Sequence, residues 1–246
     1  MFNDRPSPRS SSITRSFSLA PSSSLAPNAV ALTCALALFV SVGPAGCTQI
    51  RGSGVKKVET RKVGAFHTVK LSGSASLTLR VDPEEATGTV EISGDDDIVP
   101  KFKSEVTDQV LFLGMEKEFT KSPNLPLAVS AVVAELRQVS ISGAAEVVAT
   151  EVTGDVFIIK ISGAAKVHAT GNVDRVEVKL SGAGDVALEE LIAKHATVAV
   201  SGAALANVHA TESVEASVSG AGRIRYSGKP PKVKKSVSGA GSISAR

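Results

Sequence analysis

The chain is predicted to be all-β: a parallel β-helix (β-solenoid) of about 19-residue coils, preceded by a less regular β region. Three observations predict it. First, the phrase aliphatic–Ser–Gly–Ala–(Ala/Gly)–x–aliphatic recurs along the C-terminal half. Its serines are Ser142, Ser162, Ser181, Ser201, Ser219 and Ser238, in steps of 20, 19, 20, 18 and 19 residues. Second, aliphatics flank that phrase with a period of two. They sit one and three residues before the serine (Val139 and Ile141, Ile159 and Ile161, Val178 and Leu180, Val198 and Val200) and five and seven residues after it (Val147 and Ala149, Val167 and Ala169, Val186 and Leu188). Such alternation marks short strands with one inward face. Third, aromatics make up only 4% of the chain, Trp is absent and Gly numbers 21, which suits thin stacked packing rather than a bulky core.

Taken in order, residues 1–46 read as a signal peptide of the lipoprotein type. Arg5, Arg9 and Arg15 precede an apolar run from Ala29 to Val42, shorter than the roughly 20 apolar residues a membrane span needs. Ala45-Gly46-Cys47 resembles the end of a bacterial lipobox, so Cys47 is the expected lipidation site and mature N-terminus, although Pro44 departs from that pattern. Ordinary cleavage near Ala45 is the alternative. The only other cysteine, Cys34, lies in the apolar run, so the exported domain has neither a disulfide framework nor a cysteine metal site. Without residues 1–46 the net charge drops from +3 to +1, which excludes a large basic face for nucleic acid.

Residues 47–60 are polar and glycine-containing and read as a flexible tether. Residues 61–136 are an irregular N-terminal β region continuous with the solenoid. Strands are expected at Phe66 to Leu71, Leu77 to Val81, Thr89 to Ile92, Val110 to Leu113 and Leu127 to Leu136, separated by turn residues such as Asp82-Pro83 and Asp95-Asp96-Asp97. A looser copy of the repeat phrase, LSGSASL, begins at Leu71. Residues 137–246 are the repeat β-helix. One unit buries too few aliphatics to offset the conformational entropy of its own ordering, so neighbouring units must stack. Leucine-rich, hexapeptide and calcium-binding nonapeptide repeats each need a phrase or spacing that is absent. The glycines after the repeat serines, Gly143, Gly163, Gly182, Gly202, Gly220 and Gly239, are the expected structural corners, because glycine tolerates backbone angles that a tight corner needs.

Candidate chemistry is sparse. Gly182-Ala183-Gly184-Asp185-Val186-Ala187 fits the G-x-G-x-x-A frame of a dinucleotide loop, but the sibling phrases break that frame and no helix is expected after it. His67, His168, His195 and His209 occupy different repeat positions and form no metal column. Asp95-Asp96-Asp97 reads as a solvated loop. The serine column reads as hydroxyls that satisfy corner backbone groups, with a polar stripe for sugars as the functional alternative. No catalytic residue, cofactor or metal site is expected.

The SGAG-D-V phrases, the opening Val63-Gly64-Ala65-Phe66-His67-Thr68-Val69 and the lead-in Pro126-Leu127-Ala128-Val129-Ser130-Ala131-Val132 together resemble the bacterial family called the putative auto-transporter adhesin head GIN domain. The resemblance covers about residues 60–246. It implies a β-helix-like fold on exported, often lipid-anchored proteins, and it brings no catalytic or ligand residues. No translocator barrel follows the last repeat, so anchorage is expected from Cys47. The expected protein is a non-enzymatic cell-envelope lipoprotein, an adhesion or interaction module. Its expected partners are the membrane, through the lipid on Cys47, and a surface glycan or envelope protein, with no nucleic acid. Thr48 after Cys47 points to the outer membrane. The alternative is a polysaccharide lyase or hydrolase on a β-helix scaffold, which needs two carboxylates converging on one face.

Overall fold

A computed structural model describes residues 50–85, 87–116 and 121–246. The expected signal peptide (1–46) and the lipidation site Cys47 lie outside the described residues. The described chain is all-β, as the alternation predicts, with a single 3-10 turn at Val99–Lys101. Its strands are β1 (Lys56–Lys62), β2 (Thr68–Val81), β3 (Thr89–Asp95), β4 (Phe102–Thr107), β5 (Val110–Met115), β6 (Ala128–Val133), β7 (Gln138–Gly202), β8 (Leu205–Gly220), β9 (Arg223–Ser227), β10 (Lys232–Gly239) and β11 (Ser242–Ala245).

All eleven belong to one sheet, whose path runs β1-β3-β6-β2-β7-β8-β9-β11, with β10 on β8 and the β4–β5 hairpin joined to β2 through β5. The sheet is open and mixed rather than closed. Pairing from β2 to β11 is parallel, whereas β1–β3, β3–β6 and β4–β5 are antiparallel. The antiparallel strands occupy the N-terminal end of the sheet, where they cover the edge that the parallel strands would otherwise leave unpaired.

The parallel part is in repeat register. Leu71, Ser72 and Gly73 of β2 pair with Ile141, Ser142 and Gly143 of β7. Val200, Ser201 and Gly202 pair with Val218, Ser219 and Gly220, and these pair in turn with Val237, Ser238 and Gly239. The LSGSASL phrase is therefore a true first copy. On the other edge of β2, the pairs Leu71–Leu113 and Leu77–Val129 show β5 and β6 acting as one further, interrupted copy.

Drawn straight at about 3.3 Å per residue, the 65 residues of β7 would extend beyond 200 Å. Instead the backbone bends at positive-φ positions, among them Gly143, Gly154, Gly163, Gly171, Gly182 and Gly202, and lays each unit on the last. Inward positions then stack into one core. Every aliphatic singled out above in the repeat is at most 4% exposed, and Ala206, Val208, Ile224 and Tyr226 continue the same rows. The bulky residues Phe66, Phe102 and Phe157 belong to the same core.

The segment expected to be a flexible tether differs in part. Lys56–Lys62 pairs along its whole length with β3. Its sequence, KKVETRK, gives no apolar face and its residues are exposed or half-buried, so backbone pairing rather than burial holds it. The preceding Gly52 to Val55 is clasped by the acidic run. The Asp95 carboxylate accepts hydrogen bonds from the backbone N–H of Gly54 (2.8 Å), Asn124 (2.8 Å) and Leu125 (3.1 Å). Asp96 accepts from the Ser53 hydroxyl. Asp97 accepts from the Ser53 N–H and pairs with Lys121 at 2.8 Å.

Candidate functional site

The outward face of the repeat carries a long groove, with a volume of about 980 Å³. Two columns line it, and strand geometry makes both inevitable. Residues one before each repeat serine point inward, so the serine itself and the residue two before it point out. The serine column is Ser72, Ser142, Ser162, Ser181, Ser201, Ser219 and Ser238; the second column is Lys70, Ser140, Lys160, Lys179, Ala199, Ser217 and Ser236. Seven stacked strands at about 4.8 Å make the groove roughly 30 Å long. The β4–β5 hairpin walls its N-terminal end with Lys103, Glu105, Phe112 and Met115.

The repeat serines are all exposed, and among the described residues no side-chain hydrogen bond holds their hydroxyls. The reading that each hydroxyl satisfies a corner backbone group therefore does not hold. The glycines that follow these serines take positive φ. Gly143, Gly163, Gly182, Gly202, Gly220 and Gly239 have φ of 125, 127, 120, 120, 112 and 109°. A Cβ at any of them would collide with the carbonyl oxygen of the equivalent glycine one unit before.

The groove's electrostatics are one-sided. Lys70, Lys160 and Lys179 line it without an ion-pair partner among the described residues, and Lys70 sits 5.1 Å over the Phe112 ring. The one carboxylate in the lining, Glu105, lies at the hairpin end, 3.9 Å from Lys103. Elsewhere charges pair across units: Lys194 with Asp174 and Lys234 with Glu215, both at 2.7 Å.

A second groove, of about 830 Å³, runs on the other side of the corners. Ala144, Ala164 and Ala183 floor it and Pro123 to Leu127 wall it. Its column of charge alternates: Glu146, Lys166, Asp185. The two carboxylates are exposed and stand two strand spacings apart, about 10 Å, with Lys166 between them.

The remaining sequence candidates fall elsewhere. The G-x-G-x-x-A frame at Gly182 lies inside strand β7, with no helix to receive a phosphate. The histidines stay apart. His67 meets the Thr68 hydroxyl at 3.0 Å, His195 the Ser213 hydroxyl at 2.9 Å and His209 the Ser227 hydroxyl at 3.1 Å. No group of three or more metal-ligating side chains forms among the described residues. The acidic run is solvated only in part: Asp96 is exposed and Asp97 half-buried, but Asp95 is 1% exposed. Burial pushes its carboxyl up, but the N–H donors of Leu125, Asn124 and Gly54 together outweigh burial and hold it below the usual carboxylate range. Lys121, aided by the Ser53 N–H, does the same for Asp97.

Comparison with known proteins agrees with this picture. The family described as putative auto-transporter adhesin, head GIN domain, matches residues 65–230. Among solved structures, a putative adhesin from Bacteroides fragilis is similar with a TM-score of 0.66 at 21% identity, covering 80% of this chain and 100% of its own. A putative adhesin from Parabacteroides distasonis gives 0.53 at 21%, with coverages of 80% and 100%. One from Parabacteroides merdae gives 0.53 at 18%, with 80% and 99%. At these identities the likeness is one of fold. Comparison with the curated proteins finds no match.

Proposed function

The chain belongs to the putative auto-transporter adhesin, head GIN domain family, and on that premise we propose that it is a non-enzymatic adhesion module of the cell envelope, held to the outer membrane by a lipid on Cys47. The observation that carries the reading is the long groove of free hydroxyls and lysines. It is open along its length and suits an extended partner more than a small substrate. Its single carboxylate does not supply the acid–base pair that glycoside hydrolysis uses. The stacked units are read as coils of a parallel β-helix, a reading supported by their in-register parallel pairing and by the repeated bends at glycine. Such a scaffold repeats one surface position at every coil, so a single residue choice becomes a long stripe.

Anchorage rests on the sequence of residues 1–47. No helix among the described residues is long and apolar enough to cross a membrane. The lipid is tested by Cys47→Ser: the variant is expected in the soluble fraction, and its retention in the membrane fraction would refute the anchor. Adhesion is tested by coupling the purified protein to beads and measuring their capture by isolated envelope and by intact cells. Beads carrying Ser162→Tyr and Ser181→Tyr together, which fill the groove, are expected to lose capture. Capture unchanged by that substitution removes the groove from the function.

A further inference from the structure

The groove's lysines are arranged against the rule the rest of the molecule follows. Lys160 and Lys179 hold the same repeat position on adjacent units, both two residues before a repeat serine, and both line the groove. Their strands are about 4.8 Å apart. Like charges directly opposite on neighbouring strands are destabilising. Lys70 continues the column two units away, beyond Ser140, and the column holds no acid at any position. Three charged columns outside the groove do otherwise. Glu146, Lys166 and Asp185 alternate in sign on successive units, and Asp174–Lys194 and Glu215–Lys234 close to 2.7 Å. The uncompensated line of cations coincides with the line of unbonded hydroxyls in the groove of about 980 Å³.

Resting on the adhesion reading above, we propose that the groove binds a linear acidic polysaccharide lying along the stack, its carboxylates on Lys70, Lys160 and Lys179 and its hydroxyls on the serine column. A polymer is selected over a small anion because the hydroxyls run the groove's roughly 30 Å and the cations span about 14 Å of it. Sugar is selected over nucleic acid because a single-stranded nucleic acid is held by stacking on successive aromatic side chains, and Phe112 is the one aromatic lining the groove. Phe112 is 41% exposed; its ring, with Lys70 above it, offers an apolar face for a terminal sugar. The lysines serve as point charges on flexible stems, which tolerates irregular carboxylate spacing along a polymer.

The test uses the full-length protein in detergent with polygalacturonate as the acidic probe, a cello-oligosaccharide as the neutral one and phosphatidylglycerol vesicles as an anionic lipid surface. Polygalacturonate is expected to bind, to weaken as salt rises, and to bind at least tenfold more weakly to Lys160→Glu. The same substitution is expected to raise the thermal midpoint, because it replaces a like-charge pair by an opposite one; this separates lost binding from lost folding. Lys166→Gln, in the second groove, is expected to bind as the parent does. Equal loss with Lys166→Gln, preference for the vesicles, or preference for the neutral sugar would each overturn the acidic polysaccharide. In the last case, if groove-filling substitutions still abolish capture, the adhesion reading survives with a different ligand. If polygalacturonate fails to bind and those substitutions leave capture intact, both readings fall.

Discussion

Replacing Gly182 with alanine separates the two costs that the stacked corners impose. The first is conformational. Gly182 has φ of +120°, a region that residues with a Cβ occupy at a cost of about 1–3 kcal/mol. The second is steric. The new Cβ would overlap the carbonyl oxygen of Gly163 and lie 3.2 Å from its backbone nitrogen. Those are backbone atoms of a paired strand and cannot rotate aside, so overpacking adds about 1–3 kcal/mol. The expected total is roughly 2–6 kcal/mol, a large share of the 5–15 kcal/mol typical of a folded domain. Gly73 is the internal control. It has φ of +98°, but a Cβ there would meet nothing within 4 Å, so Gly73→Ala carries only the first cost. Urea unfolding followed by far-ultraviolet circular dichroism gives both values. Gly182→Ala is expected to be the less stable variant by about 1–3 kcal/mol, and Gly182→Val to be worse still. Equal destabilisation of the alanine variants, or an unchanged midpoint for Gly182→Ala, would refute the argument that the units touch at their glycines.

Acid should loosen the N-terminal clasp. The Asp95 and Asp97 carboxyls are held below their usual range in the folded protein, so their contribution is full above the unfolded value of about 3.9 and is lost as pH falls through the folded one. Stability is expected to be flat from pH 7 to about 5 and to fall below about pH 4; Asp95→Asn should be less stable than the parent at pH 7, and the gap should close in acid. A gap that widens in acid would contradict the sign. Chelation by EDTA is expected to leave the thermal midpoint unmoved, and a drop of several degrees would reveal a metal. Incubation with acidic or neutral polysaccharides is expected to release no reducing ends. Release that disappears in Glu146→Gln or Asp185→Asn would move the second groove, and the protein, into the enzyme class.

The core was legible because it is periodic. Val139, Ile141, Val147 and Ala149 and their equivalents could be read as inward from spacing alone, and LSGSASL at Leu71 could be recognised as a copy although its partner lies 70 residues on. What spacing could not show was set by distant partners. Asp95 looks like a turn residue until Gly54, Asn124 and Leu125 are brought around it. KKVETRK has no apolar period to betray a strand, since its pairing uses backbone groups that every sequence possesses. The groove was half visible. Exposure of the serines followed from the pattern, but the hairpin that walls the groove comes from residues 102–115, and the significance of Lys160 and Lys179 emerges only when their columns are set beside the alternating one.

The 70-residue separation between β2 and its partner in β7 has a temporal meaning. Repeat neighbours in β7 and β8 find each other across 17 to 20 residues, whereas the β2–β7 pairing must wait for a loop several times longer to close, at a greater entropic cost. The C-terminal units are therefore able to assemble before β2 docks onto them. In a chain synthesised from its N-terminus, a strand made early thus completes its pairing late. Until then β2, whose other edge takes β5 and β6, keeps the edge meant for β7 open, the edge most in need of protection from other chains.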